Sequence, residues 1–137
     1  MIRSLLMLLL AGNAMAGDLA ILGAVSRHSH GTHHEAHPTL GWVHEYNDRL
    51  AAGVAVTRNS LGNGSVYLAG RWTPMRAGPV RFGGSVILAS GYEHGAVLVP
   101  AVSVVADIGK VQPMLSVVPP LYGGPTIAIL SMAWRFQ

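Results

Sequence analysis

The 137-residue chain has no cysteine, so no disulfide framework can hold its fold. Charge is scarce as well: only 11% of residues are Asp, Glu, Lys or Arg, while 50% are hydrophobic. The formal net charge of +3 is not gathered into a patch or run, which gives nucleic-acid binding no support. Basic residues beside anionic lipid headgroups are the simpler use of so small an excess. Long apolar runs are also missing. After the first sixteen residues, Gly, Pro or charge interrupts every segment before it reaches the roughly 20 residues of a membrane-spanning helix. An apolar chain with 17 glycines and no spanning helix is that of membrane β-structure, where strands satisfy the backbone.

What is present begins with a leader. Met1-Ile2-Arg3 is a short positive region, Leu5 to Ala11 an apolar core, and Ala14-Met15-Ala16 an A-x-A cleavage site. Residues 1–16 are expected to be a cleaved secretory signal, leaving 17–137 as a single domain. With no Cys after the cleavage site, the product is not a lipoprotein.

The C-terminal stretch sets the pattern for the rest. Pro100, Pro113, Pro119, Pro120 and Pro125 exclude a helix there. Its last strand alternates: Ala128, Leu130, Met132, Trp134 and Phe136 face one side, Ile127, Ile129, Ser131, Ala133 and Arg135 the other. An apolar face with an aromatic end suits the closing strand of an outer-membrane barrel. Seven earlier strands are expected at 19–26, 39–46, 49–57, 65–72, 80–90, 96–106 and 110–118. The sum is an all-β, eight-stranded, antiparallel up-and-down transmembrane barrel, working as a monomer because closure leaves no edge to pair. With both termini periplasmic, 47–48, 73–78 and 107–109 are periplasmic turns; 27–38, 58–64, 91–95 and 119–125 are outer loops.

The expected inward positions are small or apolar: Ala51, Gly53, Ala55, Ala69, Gly83, Ser85, Ile87, Ile129 and Ala133. Glu45, Arg71, Arg81 and Arg135 gather toward the periplasmic ends, where they can pair and plug the barrel. Such an interior is either filled by its own side chains or forms a small apolar cavity, open outward, that suits a fatty-acyl chain.

Three kinds of chemistry are open to the loops. His28, His30, His33, His34 and His37 crowd one outer loop, but without Cys or paired carboxylates they make at most a weak metal site; neither a metal nor a cofactor is expected. His28 and Ser60 emerge over one narrow opening, the imidazole and hydroxyl that acyl chemistry needs, with Asn59 beside Ser60 to orient a water or carbonyl. Tyr92 belongs to a third loop with Glu93 and His94 and is a candidate for headgroup recognition. Pro100 and Pro119-Pro120, on neighbouring strands toward the outer end, weaken the ladder and can open a lateral gap for a lipid tail. Residues near Gly84, from Gly83 to Ser85, are candidates for setting acyl-chain length.

The segment Leu98-Val99-Pro100-Ala101-Val102-Ser103-Val104, the Pro-bearing loop and the ending Met132-Ala133-Trp134-Arg135-Phe136 resemble the lipid A palmitoyltransferase (PagP) family. The likeness covers about 40 residues and extends more loosely to Asn59-Ser60 and His28. It implies transfer of palmitate from the sn-1 position of a phospholipid donor to a hydroxyl of lipid A in the outer membrane, with the active site facing outward. It also implies essential roles for a His ending the first strand and for an Asp-Ser pair in a later outer loop. His28 and Ser60 match two of these, and Asn59 stands where the family has Asp. Mature residues 17–18 leave no room for the family's N-terminal amphipathic helix. The residues alone leave two alternatives: a lipid A deacylase or phospholipase using water as acceptor, and a non-enzymatic small barrel.

Overall fold

A computed structural model describes residues 17–121 and 123–136; the expected signal peptide lies outside the described residues. Nine strands run in order: β1 (Asp18–His28), β2 (Ala36–His37), β3 (Thr39–Glu45), β4 (Leu50–Arg58), β5 (Gly64–Ala77), β6 (Val80–Tyr92), β7 (Gly95–Ala106), β8 (Val111–Val118) and β9 (Ile127–Arg135). Every long strand pairs antiparallel with the next, and β9 returns to β1, from Leu19↔Arg135 to His28↔Ile127. Eight long strands therefore close into an antiparallel up-and-down barrel. The two-residue β2 continues β3 along β1, pairing Ala24↔His37 and Val25↔Ala36. Pro38, which has no N–H to offer the ladder, separates the two.

Alternation explains the closure. On β4, Ala51, Gly53, Ala55 and Thr57 are buried toward the inside, and Leu50 and Val56 stand exposed on the outward face. Leu22, Leu40, Leu98 and Val102, each more than 60% exposed, complete an apolar outward surface that water would disfavour and hydrocarbon would cover. Trp72, paired with the first residue of β4, and Trp134, paired with the first residue of β8, put aromatic side chains low on that surface. "Low" here means the end that carries the 46–49, 78–79 and 107–110 turns.

Two connections differ from expectation. Residues 73–77 continue β5, and the turn is only Gly78-Pro79. Pro74 is accommodated because the register shifts between Trp72 and Met75, a bulge that needs no N–H from it. The loop expected at 91–95 is likewise a tight turn at Glu93-His94, closed by the pair Tyr92↔Gly95.

The lower end is plugged by a buried ionic cluster drawn from five strands and a turn. Glu45 of β3 accepts hydrogen bonds from Arg71 of β5 at 2.7 Å, Arg81 of β6 at 2.8 Å, Gln112 of β8 at 3.0 Å and Arg135 of β9 at 2.7 Å. Asp107 accepts from Arg81 at 2.8 Å and from Gln112 at 3.0 Å. The pairing of Glu45 with Arg71, Arg81 and Arg135 is the one the sequence pattern suggests; Gln112 and Asp107 join it through the fold.

Candidate active site at the barrel mouth

Above the plug the barrel is hollow. Where Ala51, Gly53, Ala55 and Ala69 face inward, the opposing walls leave a cavity of about 170 Å³. It is walled by Val43, Ile87 and Ile129 as well, and its floor is Met114 and Arg71. A hydroxyl row crosses the wall nearby: Ser85 to Ser103 at 2.8 Å and Ser103 to Ser116 at 3.1 Å, so three buried polar side chains satisfy one another without needing water.

Polar groups collect at the upper mouth. Ser26, His28, His37, Thr39, Ser60 and Tyr92 all line the opening. His28 ends β1, and its inward position follows from the alternation that also buries Ser26. Its ring stacks on that of His33, with centroids 4.0 Å apart, and its Nδ1 is buried without a partner among the described residues. His30, two residues on, lies exposed and contacts Ser29 Oγ at 3.2 Å. Of the two, His28 is the one placed at the cavity. Ser60 reaches the same mouth from the β4–β5 loop, and its carbonyl accepts a hydrogen bond from His34 N at 3.0 Å, which ties that loop to the His-rich one. No hydrogen bond joins His28 to Ser60 among the described residues.

Asn59 does something different from what its neighbour suggests. It is fully buried, and its side chain is spent on the loop. Nδ2 donates to Ser65 Oγ at 3.0 Å and Gly91 O at 2.9 Å; Oδ1 accepts from Leu61 N and Asn63 N, both at 3.0 Å. With both donors and both acceptor sites engaged, no hydrogen-bonding capacity is left for a substrate. Asn59 therefore holds the loop that carries Ser60 and has no polar atom free for a ligand. A carboxylate in its place would lose both donors and face the Gly91 carbonyl. Gly91 itself is fixed by this contact: its φ is +83°, and a Cβ would stand 2.4 Å from Gly64 O.

Three other expected residues lie outside the lining. Gly84 turns outward between Gly83 and Ser85, where an added Cβ would meet only Ala101 O at 3.5 Å. Gly83 points inward, but β5 backbone closes it: a Cβ would fall 1.9 Å from Trp72 O. Of the stretch from Gly83 to Ser85, Ser85 is the residue that lines the cavity. Pro100 and Pro119 are exposed and do not line the cavity, yet they bracket a break in the barrel. Four residue pairs join β7 to β8, ending upward at Val102↔Val117, whereas eleven join β6 to β7. Above Val102, β7 has no ladder partner on the β8 side.

The pair that sequence inspection overlooked is Ser26 and His37. Ser26 Oγ lies 2.7 Å from His37 Nε2, and His37 Nδ1 lies 2.8 Å from the carbonyl oxygen of Arg58. A signal existed in part, since Ser26 and His28 share one face of the first strand. The short β2 that brings His37 opposite Ala24 has no local signature. Among the described residues no group of three or more His, Cys, Asp or Glu is placed to hold a metal ion.

No protein-family model matches the chain, and no curated protein does. Among solved structures, it is similar to the solution NMR structure of the de novo designed TMB2.3, with a TM-score of 0.60 at 12% identity, covering 91% of this chain and 98% of that one. At that identity the likeness speaks for the barrel fold alone.

Proposed function

We propose that the protein is an outer-membrane acyltransferase that moves a palmitoyl chain from a phospholipid to lipid A, with the mouth of the barrel at the outer surface. The observation that carries this reading is the cavity: apolar-walled, closed below by the Glu45 cluster, and opening onto imidazoles and hydroxyls at a single end. An acyl chain enters the apolar part, which puts its ester among His28, Ser60 and Tyr92 at the mouth. A chain arriving from the bilayer has a route where the β7–β8 ladder stops beside Pro100 and Pro119. His28, whose Nδ1 has no hydrogen-bond partner among the described residues, exchanges a proton with a hydroxyl held there, and the Ser60 hydroxyl orients the ester. The resemblance of the C-terminal third to the lipid A palmitoyltransferases agrees with this arrangement.

Mass spectrometry of lipid A from cells expressing the protein tests the reading. The expected result is a species heavier by one palmitoyl group. Loss of an acyl chain would make the protein a deacylase. Unchanged lipid A, with the barrel folded in the membrane, would leave a non-enzymatic barrel.

Chain length offers a second test. Ala69 lies mid-wall, paired with Gly53 on one side and Ile87 on the other, and its side chain faces the cavity. Ala69→Met should fill that level and shift transfer toward shorter acyl chains. One methylene in an apolar pocket is worth about 1–3 kcal/mol, so selectivity should move by roughly tenfold or more. With donors of mixed chain length, an unaltered product distribution would remove the cavity from the acyl-binding role.

A further inference from the structure

We propose that Ser26 is a covalent nucleophile activated by His37, so that acyl transfer passes through an ester on this serine. The inference rests on the acyltransferase reading for its substrate, but its geometry stands apart from His28 and Ser60.

The tautomer is fixed by what surrounds the ring. A carbonyl oxygen can only accept, so the 2.8 Å contact to Arg58 O requires a proton on His37 Nδ1. In the neutral ring Nε2 then carries the lone pair, and it lies 2.7 Å from Ser26 Oγ, so the serine hydroxyl donates to it. This is the order of a hydroxyl nucleophile, a base and a group that orients the base, with both contacts inside the range of about 2.6–3.2 Å that such units show. The orienting group is a backbone carbonyl held by the β4 terminus and not a carboxylate.

Three features hold the unit in place. The backbone N–H of Ser26 donates to Glu35 O at 2.7 Å, and the β1–β2 ladder sets His37 opposite Ala24. Thr39 Oγ1 donates to the His37 carbonyl at 2.9 Å and pairs with Thr57 Oγ1 at 2.7 Å, which locks the start of β3 against the end of β4. Ser26 is buried from bulk water yet lines the cavity, as does His37. A carbonyl carbon whose acyl chain lies in the cavity thus meets a serine shielded from competing water.

The first half of the reaction balances on this pair alone. Ser26 Oγ attacks the ester carbonyl carbon while its proton passes to His37 Nε2. The tetrahedral intermediate collapses, the bond to the glycerol oxygen breaks, and that oxygen leaves with the proton from His37. An acyl-Ser26 ester and a lysophospholipid result. The acceptor hydroxyl then attacks the acyl-Ser26 carbonyl as His28 takes its proton, and that proton returns to Ser26 Oγ as the new ester departs.

The test uses the full chain folded in detergent micelles and an alkyl fluorophosphonate, which forms a phosphonyl ester with an activated serine and releases fluoride. Intact-mass spectrometry followed by peptide mapping should find one adduct, on Ser26. The labelling rate should fall by about a hundredfold or more in His37→Ala, and no adduct should form in Ser26→Ala. Mapping in the unaltered protein keeps the test valid if either variant fails to fold. An adduct on another residue, or no adduct on a folded barrel, overturns the proposal. So does palmitate transfer to lipid A that persists in Ser26→Ala, which would leave the acyltransferase reading standing. Labelling at Ser26 without any change in lipid A supports the nucleophile and sinks the lipid A assignment instead.

Discussion

Glu45→Ala should cost the barrel about 3–5 kcal/mol, because it strips the shared carboxylate from a buried group of three arginines. Arg71, Arg81 and Arg135 all donate to Glu45, and the first two guanidiniums are almost completely shielded from solvent. Without Glu45, Asp107 is the one carboxylate left facing Arg81 and Arg135, at 2.8 and 3.7 Å. The remaining positive charges then repel one another where little water can screen them. Glu45→Gln should lose nearly as much, since a neutral amide retains the shape but not the charge. Urea unfolding of the detergent-folded barrel, followed by tryptophan fluorescence or by the shift between folded and heated forms on a gel, measures the effect. A Glu45→Ala midpoint equal to that of the unaltered protein would show that the cluster is not what closes the lower end. Replacing the whole cluster with apolar side chains of matched volume is a separate case and should be far milder, because no uncompensated charge is left behind.

The second large effect is on activity. His28→Ala should slow acyl transfer by about 10²–10⁴-fold, the range that removal of a positioned proton-transfer group produces. The fold should survive, because His28 ends its strand and its described side-chain contact is the stacked His33 ring. His30→Ala provides the comparison: that side chain is exposed and outside the cavity, so transfer should stay within about twofold of the unaltered rate. Rates are read from palmitoylated lipid A over time in membranes containing equal amounts of folded barrel. If His28→Ala transfers at the full rate, the imidazole at the mouth has no part in the chemistry.

The two variants separate two functions of one interior. The lower half is polar and crossed by the ion pairs of Glu45, which end the cavity. At the upper end the buried Nδ1 atoms of His28 and His33 have no hydrogen-bond partner among the described residues.

The sequence by itself determined the barrel. Period-two alternation needs only neighbouring residues, so β4, β8 and β9 can be read from Leu50 to Arg58, Val111 to Val118 and Ile127 to Arg135 without any knowledge of partners. The same local rule sorted Ala51, Gly53, Ala55 and Ala69 inward and placed His28 at a strand end. It failed where a residue's neighbours across the barrel decide its role. Alternation sorts Gly83 inward and Gly84 outward, but only the bulge at Trp72–Met75 shows that Gly83 abuts the β5 backbone. Asn59 reads as a partner of Ser60 in sequence, but its four hydrogen bonds go to Leu61, Asn63, Ser65 and Gly91, the last of them 32 residues away. Ser26 and His37 meet because a two-residue strand finds its register on β1, and Arg58 orients them because β4 ends alongside. Local pattern fixes which face a side chain takes; pairing register across separate strands fixes what it meets, and that is information only the closed barrel contains.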